Sequence, residues 1–189
     1  MAYVGVITEQ GRILRAKQVL NAITHIAVGG GLESWGNNPP EPSVNQTQLI
    51  KEIARKRYYM KTFLKPDPNG SVSISIDPDN PSNIRRFSPT DRETRFIAIF
   101  FRFEEFEIVN ATIREYGFFG DNVQYVEGVD GPLALNGVYD PVNNPNGQVL
   151  NPGKLYRVVN IPPKVKTSVD SLEIIFFAVF LYHNLCTPY

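Results

Sequence analysis

Few residues in this chain carry the chemistry of a reactive centre, and each stands in a pattern that favours another role. The 189-residue sequence holds two histidines, His25 and His183, and one cysteine, Cys186. His25 lies inside the apolar run Ile23-Thr24-His25-Ile26-Ala27-Val28, the setting of a satisfied core or interface histidine rather than of a proton-transfer group. Cys186 sits near the end of the sequence, outside any electropositive context, and no Gly-x-Ser-x-Gly elbow is present. A lone thiol makes no internal disulfide, so nothing requires an oxidising compartment. Gly29-Gly30-Gly31 is followed by Leu32-Glu33-Ser34-Trp35. A phosphate loop needs Lys-Ser/Thr and a helix at that point, so a turn with positive φ is expected instead. Asp77, Asp79 and Asn80 hint at calcium, but an EF-hand would put Gly and Glu where Ser82 and Ser88 stand. An Asx-type turn is the expectation there.

Two charged clusters remain. Glu104, Glu105 and Glu107 could do acid–base work only if they converged, and adjacent residues on a strand point to opposite faces. They read as a solvated strand end. Arg55-Lys56-Arg57 with Tyr58 and Tyr59 mixes charge and aromatics, and reads as a protein interface or plain surface. No catalytic residue, cofactor or metal is therefore expected, and the chain is read as a non-enzyme.

The elements that position these residues can be read from periodicity. Thr8 is a candidate N-cap for a helix in which Ile13, Ala16, Val19 and Leu20 share a face, with Arg12, Arg15 and Lys17 turned to water and Asn21 at its end. A strand over residues 23–28 runs into the triple glycine. Asn45, with Gln48 as its capping-box partner, predicts a second short helix carrying Leu49, Ile50, Ile53 and Ala54, passing into a strand near Tyr58, Met60 and Phe63. Val72, Ile74 and Ile76 alternate with serines, as in a strand with one wet face. Arg95 to Phe106, Thr112 to Phe119, Leu155 to Ile161 and Ser171 to His183 complete the strands. The first and last of these four are apolar on both faces, and the last is expected to be central. Residues 127–154, rich in Gly and Pro, form a long loop or insertion. No composition shift or internal repeat marks a boundary, so residues 1–189 are expected to form a single domain. The fold class expected is α+β: mainly antiparallel β-sheet or sandwich, one or two short N-terminal helices, and long loops.

Composition narrows the partners. Lys plus Arg and Asp plus Glu both count 19, for zero formal net charge. That balance argues against nucleic acid and against a basic membrane-surface protein. Apolar residues at 42% exclude a disordered chain. Phe 12, Tyr 9 and Trp 1 favour strands, while Gly 14 and Pro 15 favour short elements. No secretion signal is evident at the N-terminus, and the longest apolar run, Ile174 to Tyr182, falls short of the roughly 20 residues that span a bilayer.

Several segments resemble, in order, the N-terminal, baseplate-attaching domain of the phage tail-collar fibre family. Ile23-Thr24-His25-Ile26-Ala27-Val28-Gly29 is similar to its first signature, except that Gly30 stands where the family usually has an acidic residue. Gln46-Thr47-Gln48-Leu49-Ile50 resembles the second, and residues 73–81 the strand and turn that follow. Thr112-Ile113-Arg114-Glu115-Tyr116-Gly117-Phe118-Phe119 is the most specific match, with Ile-Arg-Glu, an apolar residue and then Gly. Leu172 to Phe180 is similar to the closing strand.

The resemblance implies a structural virion protein of a phage tail or contractile injection machine, made in the host cytoplasm, that attaches fibres to the baseplate. Family members commonly continue into a shaft and a receptor-binding tip, whereas this chain stops at Tyr189. The expectation is thus a fibre-root or adaptor protein. Its partners would be other tail or baseplate proteins and a separate tail fibre, in a homo-oligomer with a trimer as first guess. His25, Gly29, Arg114, Glu115 and Gly117 are its expected structural motif. An interior glycine such as Gly117 suggests a bulge or a close backbone approach, and Arg114 or Glu115, if buried, must be paired. Partner-binding residues are expected in loops, at Trp35, Asn37, Asn38, Tyr125, Tyr139 and Tyr156. The alternative reading is a carbohydrate-binding β-sandwich, for which exposed Trp35, Tyr125, Tyr139 and Tyr156 would form a platform.

Overall fold

The computed structural model describes residues 6–75, 82–125, 138–139 and 149–180. Thr8 caps α1 (Glu9–Ala22), the one α-helix among the described residues: its hydroxyl accepts the Gly11 amide at 3.1 Å. Twelve strands follow among the described residues. They are β1 (Ile23–Gly29), β2 (Glu52–Arg57), β3 (Met60–Pro66), β4 (Val72–Ser75), β5 (Ile84–Thr90) and β6 (Phe96–Phe103), then β7 (Thr112–Gly120), β8 (Gln124–Tyr125), β9 (Val138–Tyr139), β10 (Val149–Asn151), β11 (Lys154–Val165) and β12 (Leu172–Val179). The mostly antiparallel, one-helix build is the α+β class expected.

The chain divides into two compact units, each built from segments distant in sequence. One comprises residues 1–21, 61–99 and 176–189, the other residues 22–60 and 100–175. The five-stranded sheet β12-β6-β3-β5-β4 supplies the strands of the first unit, with β6 and β12 also contributing residues to the second. The Phe87 ring packs on Phe96 and Phe177 at centroid distances of 5.5 and 5.3 Å, and Leu64 is fully buried. Val72 is buried and the flanking serines of β4 are exposed, as alternation requires.

The second unit is organised by the sheet β11-β7-β1-β2-β9. β1 lies between β7 and β2, so both its edges are hydrogen-bonded and both its faces are covered. Phe118 packs on Phe101 at 5.7 Å and on Tyr116 at 5.8 Å. Leu49, Ala27 and Phe119 form a buried cluster against which Leu155 and Val158 pack.

Several expectations need correction. The segment around Leu49–Ala54 is not a helix. Its amides are engaged elsewhere, as described below, and residues 52–57 form strand β2 against β1, with Ile26 opposite Lys56 and Val28 opposite Ala54. The last strand, β12, lies at a sheet edge rather than centrally. A two-sided apolar pattern reports covered faces and carries no information about edges. Arg12 does not face water. It is 2% exposed and bonds Glu9 at 2.9 Å within the same helix, its apolar stem accounting for its place beside Ala16. β6 ends at Phe103, so the acidic cluster lies in the turns beyond it. Of the loop expected over 127–154, residues 127–137 and 140–148 lie outside the described residues, as do 76–81, His183 and Cys186.

Candidate functional site

The second unit holds its polar chemistry around β7. Along this strand Ile113, Glu115 and Gly117 alternate with Arg114 and Tyr116, and the first three are buried while the latter two are half-buried. Glu115 is wholly shielded from solvent, yet its carboxylate has no cationic partner among the described residues. It accepts backbone hydrogen bonds instead. Oε1 takes the amides of Lys51 at 2.9 Å and Gly31 at 3.2 Å, and Oε2 takes the amide of Ile50 at 3.1 Å. Three N–H groups directed at one carboxyl group satisfy its oxygens in a site shielded from water. They also remove the amides that a helix at residues 45–54 would need. Gly30 completes the lock by donating to the Lys51 carbonyl at 2.8 Å. One side chain thus ties the Gly30–Gly31 turn to the start of β2.

The glycines make this possible. Gly29 faces Glu115 across the β1–β7 ladder, and Gly31 adopts φ +52°, the expected positive-φ turn. A Cβ on Gly31 would meet Trp35 Cζ3 at 2.6 Å, because the indole of the 3-10 turn Glu33–Trp35 lies against it. Gly117 leaves room for Leu155 and Leu49, whose methyl carbons would stand 2.8 and 3.1 Å from a Cβ there. This is close side-chain approach rather than a bulge.

Two residues of the basic cluster are not plain surface, whereas Arg57 and Tyr58 are half-buried and Tyr59 is exposed. Arg55 and Lys56 are 1% and 4% exposed. Arg55 grips the Glu52 carboxylate with two nitrogens at 2.8 and 2.7 Å, donates to the Pro152 carbonyl at 2.7 Å, and lies 3.9 Å over the Phe119 ring. Lys56 donates to both oxygens of Glu107 at 2.8 and 2.7 Å. Glu107 also accepts the Glu104 amide at 2.7 Å, so it is a clamp on the 104–107 turn rather than part of a solvated strand end. These pairs tolerate burial because their geometry is bidentate or additionally hydrogen-bonded. His25 lies on β1 opposite Arg57 and is buried, with Nδ1 at 2.8 Å from the Thr24 hydroxyl. Burial, followed by the charges of Arg55 and Arg57, pulls its pKa down to about 3, so the ring is neutral near pH 7.

A cleft of about 400 Å³ opens where the Gly30–Gly31 turn, Glu33 and Lys51 face Ile108 and Arg114. Arg114 donates through Nη1 to the Gly30 carbonyl at 3.3 Å, while its Nε is buried without an acceptor. The wall of the cleft is strained. Ile108 has φ 48°, an outlier for a β-branched residue, while Asn110 at φ 62° is a residue type that tolerates the left-handed region. The strain is held in place by the Lys56–Glu107 pair on one side. On the other, buried Lys166 donates through Nζ to the carbonyl of Glu105 at 2.9 Å and accepts the Asn110 amide on its own carbonyl at 2.8 Å.

The expected partner-binding residues lie on several elements. Trp35 is half-buried, Asn37 and Asn38 are exposed just after it, and Tyr156 is 51% exposed on β11. Tyr125 and Tyr139 lie on β8 and β9. Sequence reasoning missed Lys51 and the 108–112 wall. Lys51 adjoins the Gln46–Ile50 signature, a signal that could have found it, but nothing in the sequence marks the strain at Ile108.

Buried charges bound to loop backbones, on a framework of short strands, define a scaffold that presents loops in fixed positions. The family model described as baseplate wedge 3 tail fiber network component matches residues 4–176, and the chain belongs to that family. It is therefore a structural component of a phage baseplate and tail-fibre network, located in the virion tail and associated with other components of that network. This is the setting that the tail-collar resemblance implied. No curated protein matches the chain.

Proposed function

We propose that the protein is a fibre-root or adaptor that attaches tail fibres to the baseplate, made in the host cytoplasm and assembled as a homo-oligomer, with a trimer as the first arrangement to test. Its work is assembly rather than catalysis. The observation that carries this reading is the use of buried charge: Glu115, the Arg55–Glu52 pair and the Lys56–Glu107 pair each hold backbone in place. Turns so fixed offer a neighbouring protein a preorganised surface, which lowers the ordering cost of binding. The family membership supports the same reading. Electron-microscopic reconstruction of the intact particle tests it. Density for this chain at the junction of baseplate and fibre, repeated three times around each attachment point, is the expected result. Density confined to the head, or none, would sink it.

A further inference from the structure

The cleft between the Gly30–Gly31 turn and the 108–112 segment has the charge and construction of a receptor. Among the described residues that line it, the basic groups are Lys51 and Arg114 and the one carboxylate is Glu33. Neither Lys51, which is exposed, nor Arg114, which is half-buried, is within ion-pair range of a carboxylate among the described residues, whereas the buried Arg12, Arg55, Lys56 and Lys166 are hydrogen-bonded to carboxylates or carbonyls. Among the described residues, the Arg114 guanidinium reaches one acceptor, the Gly30 carbonyl through Nη1, and its Nε is buried without one. A guanidinium held this way leaves donors for an incoming anion, and a planar fork suits a carboxylate. The surroundings are rigid. Glu115 fixes Gly31 and Lys51 on one side, and the 108–110 wall, strained at Ile108, is fixed on the other by Lys56–Glu107 and Lys166. Strain retained at a cleft wall by two independent clamps is a mark of a functional surface.

We infer that this cleft seats an acidic side chain, Asp or Glu, of a neighbouring baseplate or fibre protein, with Arg114 and Lys51 as its ligands. The inference rests on the attachment role proposed above and names the contact that performs it. The cleft accommodates a side chain and its immediate backbone rather than a whole element, so the partner contributes a protruding acidic loop. Glu33 on the rim sets the number: a second carboxylate would meet repulsion.

Carbodiimide coupling on intact particles tests this, followed by peptide mass spectrometry. The expected product is an isopeptide bond between Lys51 and an Asp or Glu of another virion protein, absent with Lys51→Arg, which keeps the charge but has no primary amine. Lys51 is also expected to be acylated at least tenfold more slowly in the particle than in the isolated protein. Lys51→Met, at an exposed position, and Arg114→Gln are each expected to lower incorporation into particles about tenfold while the isolated proteins remain folded by circular dichroism. Coupling of Lys51 only to Glu33, or equal acylation in particle and isolated protein, would overturn the inference while leaving the baseplate role intact. Absence of the chain from purified particles would overturn both.

Discussion

Glu115 occupies the space that a side chain on Gly29 would need. A Cβ at Gly29 would stand 2.6 Å from Glu115 Oε1 and 2.7 Å from its Cγ, and 2.8 Å from the Lys51 carbonyl oxygen. The two positions lie opposite each other in the β1–β7 ladder, 86 residues apart in sequence, and each is comprehensible only through the other. Glu115 cannot retreat, because three amides hold it. Gly29→Ala is therefore expected to destabilise the protein by about 1–3 kcal/mol through overpacking. Urea denaturation monitored by tyrosine fluorescence measures this, and an unchanged midpoint would refute the clash.

Removing the carboxylate should open the loops it ties. Glu115→Ala leaves the amides of Gly31, Ile50 and Lys51 without an acceptor in a site shielded from water, at a cost of roughly 1–3 kcal/mol for each group that stays buried. Native-state hydrogen exchange is the discriminating readout. Exchange at these three amides is expected to accelerate well beyond that of the β6 amides, whereas uniform acceleration would mean global destabilisation alone.

The Lys56–Glu107 pair tests a buried clamp. Its side chains are 5% and 11% exposed. Lys56→Met strands a carboxylate in the interior and is expected to cost about 3–5 kcal/mol. Adding Glu107→Gln should recover part of that loss, because an amide needs no counter-ion. A double-mutant cycle gives the coupling, and strict additivity would show that the pair does not hold the 104–107 turn.

His25 makes stability depend on pH in a defined direction. Its folded-state pKa is depressed to about 3 from 6.5 in the unfolded chain. The unfolded state therefore binds more protons in that window, so this contribution is complete above pH 6.5 and is lost as pH falls toward 3. The slope attributable to the imidazole is at most ~1.4 kcal/mol per pH unit. Urea midpoints of the wild type and His25→Gln, compared between pH 7 and pH 4, isolate it from the carboxylates. Parallel pH profiles for the two proteins would contradict the burial of a neutral ring.

Much of the architecture was legible because it is local. Thr8 caps α1 through a hydroxyl that accepts the amide of Gly11, three residues on. The alternation of Ile113, Glu115 and Gly117 with Arg114 and Tyr116 defined two faces of β7, and glycine at position 31 announced a positive φ. The resemblance in Ile113-Arg114-Glu115-Tyr116-Gly117 led to the right family setting.

What the sequence could not decide is long-range polar pairing. Leu49, Ile50, Ile53 and Ala54 have helical spacing, but the amides of Ile50 and Lys51 bond Glu115, more than sixty residues away, and the segment enters a strand. Arg55-Lys56-Arg57 reads as a protein interface or plain surface, yet Glu52, Pro152 and Phe119 converge on Arg55 and Glu107 on Lys56. Hydrophobic periodicity tells which residues leave water, because that preference belongs to each side chain alone. A buried charge is settled by the partner the fold delivers, and only the tertiary structure supplies that partner.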